Sequence, residues 1–206
     1  MNVLLINGST KKDGCTFTIL DVIARQLKIH GIDSVMLHLG ATPVMPCLGC
    51  GKCAKSGFCF YDKDPANEGV RLAKEADGFI VGSPVYYAGP NGSLCSLLDR
   101  MFFLKQSVFA FKPAAAVVNA RRGGASAAFD RLNKYFTISN MPVVSSCYWN
   151  ASHGLTPDET SRDAEGIQMM HALADNMAWL LKCIDVARPT VPHPVQEEKI
   201  FTNFIR

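Results

Sequence analysis

The 206 residues are 48% hydrophobic, 19% charged and 9% aromatic, which excludes a disordered chain, a collagen-like repeat and a highly charged coiled coil. Lys and Arg number 21 against 18 Asp and Glu, and the resulting charge of +3 is too slight for a nucleic-acid binder. No apolar run approaches the ~20 residues that cross a bilayer, and the start Met-Asn-Val-Leu-Leu-Ile-Asn-Gly lacks the character of a signal peptide, so a cytoplasmic protein is expected.

The first run, Asn2–Asn7, is short, apolar and closed by Gly8, as in a strand buried on both faces. Thr16–His30 carries Phe17, Leu20, Ile23, Ala24 and Leu27 at helical spacing, and Gly31 stops it. Asp33–Leu39 reads as the second strand, followed by a cysteine-bearing connection over residues 40–65. A short helix is predicted over Asn67–Glu75, a third strand over Gly78–Gly82 and a helix over Ser93–Leu104. The strand Ala114–Asn119, the helix Ser126–Phe136, the strand Val143–Cys147 and a long helix Ser161–Val186 complete the alternation. Pro189, Pro192 and Pro194 then open a tail over residues 188–206, whose Phe201, Phe204 and Ile205 predict packing on protein rather than solvation.

Strict alternation predicts an α/β fold: a doubly wound, five-stranded parallel sheet in flavodoxin-like order 2-1-3-4-5, with helices on both faces. No repeat or linker divides residues 1–206, so a single domain is expected. Ligands of such sheets sit beyond the carboxyl ends of the strands, where the winding reverses. Sites are therefore expected after Asn7, Ser83 and Asn119.

The first of these loops, Gly8-Ser9-Thr10-Lys11-Lys12-Asp13-Gly14-Cys15-Thr16, runs straight into a helix. Small residues let the backbone approach an anion, and hydroxyls with helix N-terminal amides bind a phosphate. Its spacing matches neither a Walker loop nor G-x-G-x-x-G, which argues against ATP and a Rossmann-bound dinucleotide here. A plain capped β–α turn is the alternative.

Together with Gly82-Ser83-Pro84-Val85-Tyr86-Tyr87 and the later Leu97-Leu98-Asp99-Arg100, this loop resembles the NAD(P)H-dependent FMN reductases of the flavodoxin-like superfamily, from Met1 to about Trp149. The resemblance implies that Ser9, Lys11, Gly14, Cys15 and Thr16, with Thr10 in the same loop, surround the FMN phosphate. Cys15 stands where family members commonly carry Asn, a loss of one side-chain amide. Pro84, Val85, Tyr86 and Tyr87 are implied along the dimethylbenzene and ribityl side of the flavin. Similar proteins set the fourth-strand loop against the pyrimidine edge, here Asn119, Arg121, Arg122, Gly123 and Gly124. Donors there stabilise the negative charge of a reduced flavin, whereas a solvated basic turn is the alternative for the two arginines. His153, just after the fifth strand, is read either as a proton donor to a reduced substrate or as a structural loop residue.

Four of the 8 cysteines fall in Cys47-x-x-Cys50-x-x-Cys53-x5-Cys59. Without a secretory signal, such clustering indicates metal or redox chemistry rather than disulfides. Two x-x steps aim three thiolates at one centre, and Cys59 returns the fourth. Structural four-cysteine zinc sites more often use two separated pairs, so the spacing favours iron–sulfur over zinc, with free thiols as a third alternative. The motif also resembles that of the iron–sulfur flavoproteins, a branch of the same family. That resemblance implies a 4Fe-4S cluster passing electrons to the FMN of a neighbouring subunit, hence a homodimer or homotetramer.

The expected function is an FMN-dependent oxidoreductase drawing on NAD(P)H or the iron–sulfur centre. Its acceptor is a small molecule such as a quinone, a flavin or a nitro- or azo-aromatic, and no nucleic-acid or membrane partner is expected. A non-enzymatic electron carrier is the alternative, although the +3 charge gives no acidic docking face.

Overall fold

The computed structural model describes residues 1–104, 106–198 and 200–205. Strand β1 (Asn2–Asn7) is apolar on both faces because both meet helices: Val3 and Leu5 enter one core, Leu4 and Ile6 the other. It pairs in parallel with β2 (Asp33–His38) on one side and β3 (Gly78–Tyr86) on the other. Past Tyr86 the chain turns back as β4 (Gly89–Pro90), antiparallel to β3. β3 also pairs in parallel with β5 (Ala114–Ala120), and β5 with β6 (Ala151–His153). Among the described residues the sheet has six strands in the order β2-β1-β3-β5-β6, with β4 off this path, where five in the order 2-1-3-4-5 were expected.

The extra strand had no turn signature. Its two-residue loop, Tyr87 and Ala88, has φ of 49° and 58°, a left-handed pair that suits hairpin twist but normally calls for Asn-Gly. The expected strand Val143–Cys147 is also corrected. Only Val143 bridges to Ala114, and the paired segment lies further on. Buried Asn150 accounts for this: its Nδ2 donates to the Ala116 carbonyl at 3.1 Å, occupying an acceptor that a strand residue's backbone would otherwise take.

On one face lie α1 (Cys15–Ile29) and the final helix, with Ile19, Leu20, Ile23 and Leu27 packed against Met170, Leu173 and Met177. Each fully buried side chain of this kind contributes about 1.5–3 kcal/mol. Gly31, at φ 76°, ends α1: its N–H bonds the Lys28 carbonyl and the Ile32 N–H bonds that of Leu27, both at 3.0 Å. The connection over residues 40–65 contributes only the single turn α2 (Cys53–Ser56). The opposite face is covered by α3 (Ala66–Glu75), α4 (Gly92–Leu104) and α5 (Ala125–Ile138). There Phe79 meets Phe102, Phe109 and Phe136 edge-on, with centroids 5.9, 5.6 and 6.0 Å away.

The long helix expected from Ser161 is two helices, α6 (Pro157–Arg162) and α7 (Ala164–Ala187). Asp163 breaks them with ψ of 84°, and its Oδ1 accepts from Gly166 N–H at 3.0 Å to cap α7. The tail beyond α7 meets this chain near its start. His193 meets Phe111 edge-on at 4.5 Å, but Val195, Ile200, Phe201, Phe204 and Ile205 are exposed on this chain. Its residues 199 and 206 lie outside the described residues. Among the described residues, no helix is long and apolar enough to cross a membrane.

Candidate functional site

The turn after β1 is tied to itself. Buried Asn7 accepts from Ser9 N–H through Oδ1 at 3.0 Å, and Ser9 Oγ accepts from Lys11 N–H at 3.1 Å. Gly14 fits close by, since a Cβ there would stand 3.1 Å from Lys11 Cβ. The turn then enters α1 without a side-chain cap, so the helix's first-turn amides keep donors for an outside acceptor. Thr16 is 1% exposed, and its Oγ1 is buried with no hydrogen-bond partner among the described residues. Leaving such a group unpaired costs about 1–3 kcal/mol, which a phosphate oxygen would recover.

The ends of β1 and β3 approach closely. Gly8 N–H donates to the Gly82 carbonyl at 2.8 Å, and a Cβ on Gly82 would stand 2.8 Å from Leu20 and 2.9 Å from Thr16. Beyond this point a cleft of about 430 Å³ opens, within the ~300–1,000 Å³ range of small-molecule sites. Ser9, Lys11, Gly14, Cys15 and Thr16 line it from the first loop, Pro84, Val85 and Tyr86 from β3, and Asn119 and Arg121 from the end of β5. Lys11 and Arg121 place two cations against the single carboxylate of Asp13, a balance suited to an anionic ligand.

Six expected residues stand outside the cleft wall: Thr10, Tyr87, Arg122, Gly123, Gly124 and His153. Thr10 and Arg122 are bend positions next to lining residues, and Gly123 is one residue further along the same bend. Tyr87 sits fully exposed at the hairpin tip. Gly124, at φ 90°, serves packing instead, because a Cβ there would stand 2.8 Å from Ala88 Cα. His153 is exposed; its backbone N–H donates to Asp163 Oδ2 at 2.6 Å, and its Nδ1 lies 3.9 Å from the same oxygen.

The first-loop Asp13 and three residues at the start of α6, Gly154, Leu155 and Pro157, line the cleft unforeseen. The sequence did carry a clue to the latter group. Thr156 accepts from Glu159 N–H at 3.2 Å, while Glu159 Oε2 accepts from Leu155 N–H at 2.7 Å. Thr-Pro-Asp-Glu is thus a legible helix start just past β6.

Cys47, Cys50, Cys53 and Cys59 line a second cavity, bordered by Met45, Arg100 and Phe103. Its free volume is about 20 Å³, space for little more than a water molecule. Among the described residues, no three Cys, His, Asp or Glu side chains converge as metal ligands. The donor chemistry nevertheless fits: four thiols free of disulfides, the ligand type of iron–sulfur clusters. Gly49, Gly51 and Gly57, at φ of 61°, 68° and 71°, supply the tight turns that bring the four cysteines to one cavity.

The description NADPH-dependent FMN reductase belongs to the family profile that matches residues 1–156. An iron-sulfur flavoprotein of Methanocaldococcus jannaschii is 30% identical over 195 residues, covering 89% of this chain and 99% of its own. The iron-sulfur flavoprotein of Methanosarcina thermophila is 28% identical over 194 residues, covering 91% and 99%. Among solved structures, the flavoenzyme NAD(P)H:(acceptor) oxidoreductase of Paracoccus denitrificans has a TM-score of 0.63 at 17% identity, covering 88% of this chain and 97% of its own. An archaeal flavodoxin has a TM-score of 0.59 at 14% identity, covering 88% and 99%; these two show the shared fold. The chain belongs to the NADPH-dependent FMN reductase family, in its iron–sulfur flavoprotein branch, and is an FMN-dependent oxidoreductase.

Proposed function

We propose that this member of the family draws electrons from NAD(P)H, or singly through a 4Fe-4S centre on Cys47, Cys50, Cys53 and Cys59, and delivers them to a quinone, flavin or nitro- or azo-aromatic acceptor. The observation that carries the flavin half is the cleft beyond β1, β3 and β5, with the unpartnered Thr16 Oγ1 in its wall. FMN, when bound, supplies the hydride and electron chemistry. Ser9, Gly14, Thr16 and the first-turn amides of α1 would hold its phosphate. Pro84, Val85 and Tyr86 would shield the ring from water, and Arg121 would favour its negatively charged reduced form.

The cysteine cavity and the cleft share no lining residue. This supports an oligomer in which one subunit's cysteine loop meets the flavin of the next. Exposed Tyr87, Trp149 and Phe204 offer apolar surface for such contacts. Free thiols at the cysteine loop suit a reducing compartment, which supports a cytoplasmic location.

The test is to mix the FMN-loaded protein with NADH and with NADPH anaerobically, follow the flavin absorbance, and then measure turnover with a quinone. Catalytic oxidation of at least one nucleotide is expected. If neither is oxidised while dithionite still reduces the bound flavin, the NAD(P)H reading fails and electrons must enter by another donor.

A further inference from the structure

Arg100 lies in α4, only 2% exposed at its side chain, and borders the cavity of the four cysteines. Most of its donors are committed. Nη1 forms an ion pair with Asp64 and donates to the Met45 carbonyl at 3.3 Å, while Nη2 donates to the Tyr61 carbonyl at 2.7 Å. Asp64 is equally occupied, accepting from Met45 N–H at 3.0 Å and from Ala66 N–H at 3.2 Å. The Nε–H, however, is buried without a hydrogen-bond partner among the described residues. The guanidinium carries its charge at any ordinary pH, and Cys59 and Asp64 lie beside it.

A clamp for the loop needs only the bonds to Asp64, Met45 and Tyr61. It does not need a charged group with a spare donor at the edge of a sulfur-lined cavity, where an unmatched N–H is costly. A sulfur acceptor in that cavity resolves the mismatch. The potential of an iron–sulfur cluster depends on its net charge and on hydrogen bonds to its sulfurs. One-electron reduction adds a negative charge and breaks no bond, so a neighbouring fixed cation favours the reduced form.

We propose that Arg100 is a positioning residue that raises the reduction potential of the cysteine-held centre, its Nε–H donating to a sulfur on the Cys59 side and Asp64 partly offsetting its charge. This rests on the iron–sulfur reading of the preceding section. Two substitutions separate it from a purely structural clamp, because charge predicts opposite signs. Arg100→Gln removes the cation and should shift the midpoint potential to more negative values. Asp64→Asn removes the opposing anion at nearly constant shape and should shift it to more positive values. Arg100→Lys, which keeps the charge, should fall between wild type and Arg100→Gln.

The measurement is a dithionite titration of anaerobically purified protein, followed by electron paramagnetic resonance, with iron and acid-labile sulfide assayed per chain. Opposite shifts in variants that retain iron support the proposal. Unchanged potentials, shifts of the same sign, or loss of iron from all three variants with an intact wild type overturn it, leaving Arg100 as a clamp alone. A wild type without iron and sulfide instead overturns the cluster reading itself.

Discussion

The Asn91 side chain donates through Nδ2 to the Gly8 carbonyl at 2.7 Å, across a sequence separation of 83 residues. The same residue donates its backbone N–H to Ser83 Oγ at 3.0 Å and accepts from Ser93 N–H through Oδ1 at 3.0 Å. One buried amide therefore joins the start of α4, the end of β3 and the turn after β1. We expect Asn91→Ala to weaken FMN binding about tenfold, because an unpaired buried carbonyl costs about 1–3 kcal/mol and the turn relaxes to rescue it. Quenching of FMN fluorescence measures this directly. An affinity within about twofold of wild type would show that the turn holds its shape unaided.

Ser9 and Thr16 are expected to act on the phosphate rather than on the ring. Replacing both by Ala removes the Ser9 Oγ that organises Lys11 and the unpartnered Thr16 hydroxyl. FMN affinity should fall by about tenfold or more, at roughly 1 kcal/mol per lost hydrogen bond. Riboflavin affinity should scarcely change. Equal losses for both ligands would refute the phosphate assignment.

Gly82 is a packing requirement beneath the cleft. A methyl group there enters space held by Leu20 and Thr16, so Gly82→Ala should destabilise the fold by about 1–3 kcal/mol, the usual cost of overpacking. Urea unfolding of the flavin-free protein gives the number, and an unchanged midpoint would contradict it.

His38 adds a dependence on acidity. It stands opposite Asn7 in the β1–β2 register, with Nδ1 buried and unpartnered among the described residues. Burial, and then the charge of Lys12, hold its pKa below the usual value against the opposing pull of Asp13. The unfolded chain therefore takes up this proton first, so stability is complete above about pH 6.5 and declines as the pH falls below it. His38→Gln should flatten that decline in unfolding free energy between about pH 7 and pH 5. An identical slope in the variant would remove His38 from the account.

The exposed tail suggests an intermolecular role. Deleting everything after His193 removes Val195, Ile200, Phe204 and Ile205, which bury little against this chain. The melting temperature of the isolated fold should stay within about 2 °C, since those four side chains are exposed on this chain. The mass by light scattering should drop to that of a smaller assembly. Unchanged mass would rule the tail out of assembly.

The strands and helices that surround the two cores were legible because burial on both faces leaves an unmistakable pattern, as in Asn2–Asn7 and Ala114–Ala120. The first loop was legible for the same local reason: glycine and hydroxyl residues between a strand and a helix. The rest depended on information that a linear pattern does not hold. Asn150 displaces the fifth parallel strand from Val143 to Ala151 through one side-chain hydrogen bond to a residue far away in sequence. Asp163 separates α7 from a preceding turn of helix, PDETSR, that carries no apolar spacing to announce it. Tyr87 was read from its motif as a wall of the cleft, yet the hairpin that carries it outward forms without the usual turn residues.

That hairpin tip is one of the places where the backbone holds free energy in reserve. Tyr87 and Ala88 both occupy the left-handed region, at a cost of about 1–2 kcal/mol each for residues bearing a Cβ. Asn-Gly at the same two positions would relax the turn, so the simplest thermostabilising edit to this protein coincides with loss of its most protruding aromatic ring. A variant selected only for heat resistance would drift toward that edit, and its melting curve would give no warning that an exposed aromatic contact surface had been removed.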